Sequence, residues 1–270
     1  MSAKPFFIVS SGRSGTAMLH KALSAQSDVE MHHEYMVHIV QPLGVRRYMN
    51  LIDREAAKRT LLETHVAAVR YCARPHWGDS SNKLSWLIPE LAELLPAAKF
   101  VHLVRDGRKV ASSYFHKLAE ECYDDRSTQI LRAHVRDGAP PPPPEKKYWW
   151  PLPADRADFD GFDQFQRIAW HWAEINRVIL DSLAALPPER SHFVRLEDLR
   201  ASPSGVKQLY EFLSLDFHES QFATFARPHN VNRPEDRLLD DKQRDQFDDV
   251  AGDMLDLLGY GARAEYVVNY

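Results

Sequence analysis

The chain has 270 residues, of which 44% are hydrophobic and 27% charged, and its formal net charge is −4. This is an ordinary globular composition, and the length favours one large α/β domain over residues 1–270. The slightly acidic balance argues against a nucleic-acid binder, and no apolar run reaches the 18 residues that suggest a membrane span. Local basic residues would therefore have to meet any anionic ligand.

Two isolated cysteines, Cys72 and Cys122, form neither a disulfide framework nor a metal-ligand spacing. This usage is typical of a reduced compartment, so we expect a cytoplasmic protein. The N-terminal sequence MSAKPFFIVSS is predicted to enter its first strand within about five residues, so we expect no signal peptide.

The first half of the chain predicts a repeated strand–loop–helix unit. Residues 6–9 form an apolar run that ends in Ser-Ser-Gly, and a helix follows over residues 17–23. Helical spacing continues over residues 53–72 and 84–95, where Pro89 lies near the first turn or kinks the helix. A second buried strand, residues 99–104, leads into the turn and helix of RDGRKVASSYFHKL. The repetition predicts a parallel sheet flanked by helices.

Further along, we predict a third core strand over residues 192–196 and helices over residues 162–186, 203–213 and 240–258. Residues 137–153 differ, because five consecutive prolines can form neither a helix nor a central strand. They favour an extended polyproline segment, which we interpret as a surface excursion within the domain.

The loop SSGRSGT after the first strand has the features of a phosphate-binding loop. Gly12 and Gly15 permit a tight turn, and the backbone N–H groups of the following helix attract an anion. Ser14 and Thr16 add hydroxyl donors, and Arg13 adds a planar cation. The loop lacks the Walker form GxxxxGK[ST] of nucleotide triphosphatases. The alternative is a simple Gly-Ser turn with a solvated arginine.

A second motif follows the strand at residues 99–104. Arg105 stands at the carboxyl end of this strand, where open α/β sheets bind ligands, and Ser113 lies eight residues later in the next helix. Together they are suited to clamp a second phosphate. The alternative is plain turn chemistry at Asp106-Gly107, with Arg105 paired to Asp106.

The two motifs together resemble those of the sulfotransferases that use 3′-phosphoadenosine 5′-phosphosulfate (PAPS), closest to the tyrosylprotein, carbohydrate-type and bacterial members. The resemblance continues in SNKLSW, AWHWAEINRVIL, HFVRLEDLRASPSGVKQLYEFLSLDF and LLGY. It implies the sulfotransferase fold, which is like that of P-loop nucleotide hydrolases. It also implies transfer of the PAPS sulfuryl group by in-line attack to a hydroxyl, with an amine as the less favoured acceptor.

By this resemblance, each motif acquires an expected role. The 5′-phosphosulfate would be held by Arg13, Ser14, Gly15 and Thr16, and the 3′-phosphate by Arg105 and Ser113. Lys83 and Arg13 would stabilise charge on the transferring group, as preorganised cations do in phosphoryl transfer. The sulfuryl group carries less charge than a phosphoryl group, so no metal is expected. The product would be 3′-phosphoadenosine 5′-phosphate (PAP).

The general base is expected in the stretch SDVEMHHEYMVH. Glu34 lies 21 residues after Arg13 and matches the tyrosylprotein pattern, so we predict Glu34 as the base, with a pKa raised by partial burial. His33 is the main rival and His32 a second, since histidine is the commonest base near neutral pH. A metal cluster of these residues with His38 is the alternative, but only Glu34 and His38 have i,i+4 spacing.

Several features stay open. The family often has a tyrosine where this chain has Leu196, and either Arg227 or Arg233 is a candidate to cover the donor. Tyr148, Trp149 and Trp150 either stack on an acceptor as part of a lid or pin the proline segment to the body. The acceptor itself is a small molecule, a sugar or a peptide.

Two other functions compete with the sulfotransferase interpretation. A P-loop kinase predicts a Walker lysine and a Mg²⁺-binding acidic residue, and neither is evident. A non-catalytic nucleotide-binding module would need Arg105 and Ser113 but not Lys83 and Glu34.

Overall fold

The computed structural model describes residues 3–226 and 238–264, and five strands of these residues form one parallel sheet. The strands are β1 (Lys4–Val9), β2 (Val29–His33), β3 (His76–Ser80), β4 (Lys99–Val104) and β5 (Ser191–Arg195). They lie in the order β2-β3-β1-β4-β5, and every neighbouring pair is parallel. The predicted parallel sheet is thus confirmed, and β1, β4 and β5 are the three strands that the sequence predicted. The prediction of β5 as a core strand is wrong, because it lies at the edge of the sheet and Val194 is its one buried residue.

The sequence prediction missed β2 and β3. Their sequences, VEMHH and HWGDS, are rich in polar residues and lack an apolar run. Even so, β3 is buried along its whole length because β1 and β2 pair with it on either side. A side chain at Gly78 of β3 would collide with the Phe6 ring, so glycine lets the layers pack closely there.

Helices cover the sheet and alternate with the strands along the chain. The α-helices of the described residues are α1 (Thr16–Ser24), α2 (Val37–Tyr48), α3 (Arg54–Leu61), α4 (Ala67–Tyr71), α5 (Ile88–Leu94), α6 (Gly107–Lys117), α7 (Asp125–Asp137), α8 (Gln164–Ala184), α9 (Leu196–Ala201), α10 (Pro203–Leu213), α11 (Phe222–Ala226) and α12 (Asp241–Leu257). The bounds of α10 match the prediction, and α8 and α12 match it to within two residues at each end.

Two of the predicted helices have a different internal structure. The helix expected over residues 53–72 is confirmed, but a π-helical turn, Leu62–Val66, separates α3 from α4. The helix expected over residues 84–95 begins only at Ile88, with Pro89 in its first turn, where proline is tolerated. A 3-10 turn, Asn82–Trp86, precedes it and carries Lys83.

The long helix α8 joins the sheet to the C-terminal part of the chain. It begins with a capping box between Asp163 and Gln166. Trp170 and Trp172 are buried in the core, as predicted. His102 of β4 lies 2.9 Å from the Asn176 side-chain oxygen of α8, so a buried hydrogen bond ties helix to sheet.

Two buried histidines predict a loss of stability in acid. Burial lowers the pKa of His102 to about 4 and that of His171 to about 3. Below pH 6.5 these histidines bind protons in the unfolded chain but stay neutral in the folded chain. The free energy of unfolding therefore falls by about 1.4 kcal/mol per histidine for each pH unit below 6.5, down to the folded pKa. The test is urea unfolding of the wild type and His171→Phe at pH 7.5 and pH 5.0. Between these pH values we expect the free energy of unfolding to fall by about 2 kcal/mol less in His171→Phe than in the wild type. Equal losses would contradict the assignment.

Candidate functional site

The carboxyl ends of the parallel strands meet at one edge of the sheet and bring the predicted motifs together. Residues 10–15 follow β1, Glu34 follows β2, Lys83 lies just beyond β3 and Arg105 follows β4. β2 and β3 lie on one side of β1 in the sheet, and β4 and β5 lie on the other side, so the strand order reverses at β1. Open α/β sheets bind their ligands at such a reversal of strand order.

The loop after β1 requires glycine at two positions. Gly12, Arg13 and Gly15 have φ angles of 80°, 52° and 99°, in the left-handed region. A side chain at Gly12 would collide with the Tyr114 hydroxyl, and one at Gly15 would come within 2.7 Å of Leu196. Leu196, which stands where the family often has tyrosine, therefore packs against the loop at Gly15. The tight turn leads directly into the first residues of α1.

The start of α1 is suited to an anion. Gly15 precedes the helix and offers no side chain to cap it, so the first backbone N–H groups are left for another partner. The hydroxyl of Ser14 lies inside the loop, where it donates to the Gly12 carbonyl at 2.9 Å and lies 3.0 Å from Ser11 Oγ. A ligand at this loop would therefore meet Ser14 through its backbone N–H.

The second predicted motif packs directly against the first. Arg13 Nε donates to Ser113 Oγ at 3.0 Å, and Arg105 Nη1 donates to the Arg13 carbonyl at 3.1 Å. Asp106 caps α6 and binds Arg108 with a 2.7 Å contact. Two arginines and a serine from separate strand–helix units therefore converge beside one loop, an arrangement suited to two anionic groups.

Glu34 and Lys83 also lie together. With the Asn82 amide oriented so that donors meet acceptors, its nitrogen donates to Glu34 Oε1 at 3.2 Å and its oxygen accepts from Lys83 Nζ at 3.3 Å. Lys83 is 8% exposed, and its Nζ lies 4.6 Å from the centre of the Trp150 ring. A carboxylate and an ammonium group are thus joined through one amide.

The electrostatics of this pair correct one expectation. Burial raises the pKa of the Glu34 carboxyl, but Lys83, Lys146 and His33 oppose it, and the net pKa is lowered. The predicted raised pKa is therefore wrong, because the sequence did not show that two lysines flank the carboxylate. Burial lowers the pKa of Lys83, and Glu34 partly offsets this.

The two rival bases have other contacts. His33 Nδ1 lies 2.9 Å from both the carbonyl and the hydroxyl oxygen of Ser80, and His32 Nε2 lies 3.1 Å from Glu30. Within residues 3–226 and 238–264, no three His, Cys, Asp or Glu side chains are grouped as metal ligands.

The structure adds residues that the sequence reasoning missed. Asn82 was signalled only by its place before Lys83, whereas Lys146 gave no signal, since it binds Glu34 from 112 residues away. Trp149 and Trp150 are 4% and 7% exposed and belong to the core. They pin the proline-rich segment to the body, so the alternative of exposed aromatics on a lid is wrong for these two residues.

Arg227 and Arg233, the candidate residues that would cover the donor, lie outside the described residues. Of the helices within the described part of the chain, none is both long enough and apolar enough to cross a bilayer.

Known proteins are similar to this chain in sequence and in fold. The profile of the sulfotransferase family matches residues 5–139. This range includes the predicted catalytic and phosphate-binding residues: Arg13, Ser14, Gly15, Thr16, Glu34, Lys83, Arg105 and Ser113. Omega-hydroxy-beta-dihydromenaquinone-9 sulfotransferase Stf3, from Mycobacterium bovis and Mycobacterium tuberculosis, is 27% identical over 180 residues, 65% of this chain. The match covers 39% of those relatives, so the chain spans about two fifths of their length.

Solved structures of sulfotransferases share the fold. STF9 from Mycobacterium avium has a TM-score of 0.55 at 10% identity, covering 95% of this chain and 77% of its own. The sulfotransferase from Alicyclobacillus acidocaldarius has a TM-score of 0.53 at 14% identity and covers 96% of both chains. Sequence profile, relatives and fold agree: the chain belongs to the sulfotransferase family.

Proposed function

We propose that this protein transfers the sulfuryl group of PAPS to a hydroxyl acceptor, with an amine as the less favoured acceptor, and that Glu34 is the general base. One observation carries the proposal: the anion-binding loop with Arg13, Arg105 and Ser113 shares one sheet edge with the Glu34–Asn82–Lys83 group. A binding module would not need the second group, and a kinase would need a Walker lysine that the loop lacks.

The hydrogen-bond donors at this sheet edge suit PAPS. They are backbone N–H groups, hydroxyls and cationic side chains, which favour a ligand with separated anionic groups. Arg13, Ser14, Gly15 and Thr16 would hold the 5′-phosphosulfate, and Arg105 with Ser113 the 3′-phosphate. The bound donor supplies an activated sulfuryl group. Because Lys83 and Arg13 supply the positive charge, the proposal requires no metal ion.

Glu34 and Lys83 divide the chemistry between them. The Glu34 carboxylate is held ionised and so is ready to accept the proton of an attacking hydroxyl. The Lys83 ammonium, fixed by Asn82 and Trp150, offsets negative charge on the transferring group without having to reorganise. Glu34 is favoured over His33 because Asn82 links its carboxylate to Lys83, the residue proposed to stabilise charge on the transferring group.

The proposal favours an acceptor with an apolar body. Met36 and Ile39 follow Glu34 closely in the chain and are 41% and 42% exposed, so these two large apolar side chains are accessible to such an acceptor. The name of Stf3 gives its acceptor as a hydroxylated menaquinone, a lipid. We therefore place hydroxylated isoprenoids first in an acceptor panel, followed by phenols, sugars and peptides. The two isolated cysteines also support action in a reducing compartment.

Calorimetric titration with PAP tests the donor site. We expect the wild type to bind PAP, ATP with Mg²⁺ not to substitute for it, and Arg105→Ala to weaken binding by about 10- to 100-fold through loss of a charged phosphate contact. Arg108→Ala is the matched control, since Arg108 neighbours the site on α6 but binds Asp106. Unchanged PAP affinity in Arg105→Ala would count against the 3′-phosphate role.

A further inference from the structure

The proline-rich segment reaches the proposed base directly. Lys146 Nζ lies 2.9 Å from Glu34 Oε2, a charge-assisted hydrogen bond between side chains that are 39% and 25% exposed. Asn82 binds the other carboxylate oxygen, Oε1. The carboxylate is thus held from both sides, by a neutral amide and by an ammonium group. Each carboxylate oxygen has two lone pairs, so acceptor sites remain for a substrate hydroxyl.

The position of Lys146 is fixed by the backbone that carries it. We call residues 138–153, which follow α7, the strap. Gln41 of α2 is 2% exposed, and its Nε2 donates to the carbonyls of Lys146 at 2.9 Å and Trp149 at 2.8 Å. Since α2 begins three residues after Glu34, one buried amide sets the register between the strap and the base.

Two tryptophans complete the attachment of the strap. Trp149 packs in the core, and its Nε1 donates to the Pro143 carbonyl within the strap at 2.7 Å. Trp150 Nε1 donates to the Glu121 carbonyl, outside the strap, at 2.6 Å. The Trp150 ring also lies against Lys83. The strap therefore contacts both Glu34 and Lys83 through side chains whose backbone is anchored.

We propose that Lys146 is a positioning residue for Glu34, whose ammonium group keeps the carboxylate oriented and ionised for the acceptor hydroxyl. The inference rests on the proposed function, in which Glu34 is the base. The charged and titratable groups that face Glu34 are Lys83 from the turn after β3, Lys146 from the strap and His33 from β2. Of these, Lys146 makes the direct ion pair, so its removal has a distinct electrostatic effect.

The test measures the titration of Glu34 itself and needs no acceptor. In protein labelled with ¹³C-glutamate, the Glu34 carboxyl resonance is identified by its loss in Glu34→Gln. We expect Lys146→Met to move the Glu34 titration to higher pH, because an attractive positive charge is lost. Lys146→Arg should restore the wild-type titration. Lys147→Met is the matched control, since Lys147 lies next to Lys146 in the strap but contacts Glu145 and Tyr148.

A second measurement separates this inference from the donor site. PAP affinity should be unchanged in Lys146→Met, while turnover falls by about tenfold, as expected when a charge-assisted hydrogen bond is lost. A Glu34 titration that is the same in Lys146→Met as in the wild type would overturn the inference, and so would an equal shift in Lys147→Met. If the wild type failed to bind PAP, the proposed function would fail instead, and the Lys146–Glu34 titration would still be measured.

Discussion

Glu34→Gln should lower turnover by about 10²–10⁴-fold, the usual contribution of a general base, and leave PAP affinity unchanged. The glutamine keeps the shape of the side chain and its contact with Asn82, but it cannot accept a proton from the acceptor. The carboxylate lies beyond β2, away from Arg105 and Ser113, so donor binding should not depend on it. Turnover with the best acceptor of the panel, measured beside PAP calorimetry, separates the two effects.

Glu30→Gln is the matched control for this variant. Glu30 lies on β2, the strand that Glu34 follows, and its carboxylate contacts His32 at 3.1 Å instead of a lysine. We expect this control to retain turnover within about twofold, as for a typical exposed polar substitution. If Glu34→Gln kept near-wild-type turnover, another group would have to be the base, and His33 would be the next to test.

Lys83→Met should lower turnover by about 10²–10³-fold, the cost of removing one preorganised charge from a transition state. The lysine is almost fully buried, is joined to Glu34 through Asn82 and lies over the Trp150 ring. Methionine fills a similar volume in the same apolar surroundings, so the fold should be retained. The substitution should also raise the pKa of Glu34, because the positive charge of Lys83 lowers it.

Lys99→Met provides the control for charge and aromatic contact. Lys99 at the start of β4 lies 5.1 Å from the centre of the Phe212 ring, at the opposite end of the strands from the site. It should leave turnover within about twofold of the wild type. Equal activity losses in the two variants would point to a general structural effect, and a fully active Lys83→Met would refute the role of Lys83.

The sequence predicted those parts of the fold that local physics determines. β1 and β4 are apolar runs, and the loop after β1 is marked by two glycines in left-handed conformations. The grouping of Arg13, Arg105 and Ser113 followed from the rule that parallel strands present their carboxyl ends at one edge. These inferences need only short stretches of sequence and one topological rule.

The remaining parts depend on tertiary contacts that no short stretch reveals. β3 is buried because of its neighbours, although its sequence HWGDS is polar. Lys146 reaches Glu34 from a strap that Gln41 holds in place, so the lowered pKa of Glu34 depends on three distant segments. The family resemblance supplied roles for Lys83 and Glu34, and the structure supplied Asn82, which links them.

The most direct test of the proposed function is transfer of labelled sulfate from ³⁵S-PAPS by the purified wild-type protein, measured across the acceptor panel without ATP or added metal. We predict that label moves to at least one hydroxyl acceptor, that PAP forms in equal amount, and that Glu34→Gln loses this transfer. A protein that binds PAPS but transfers label to none of the hydroxyl or amine acceptors, or that transfers it equally well without Glu34, would contradict the account.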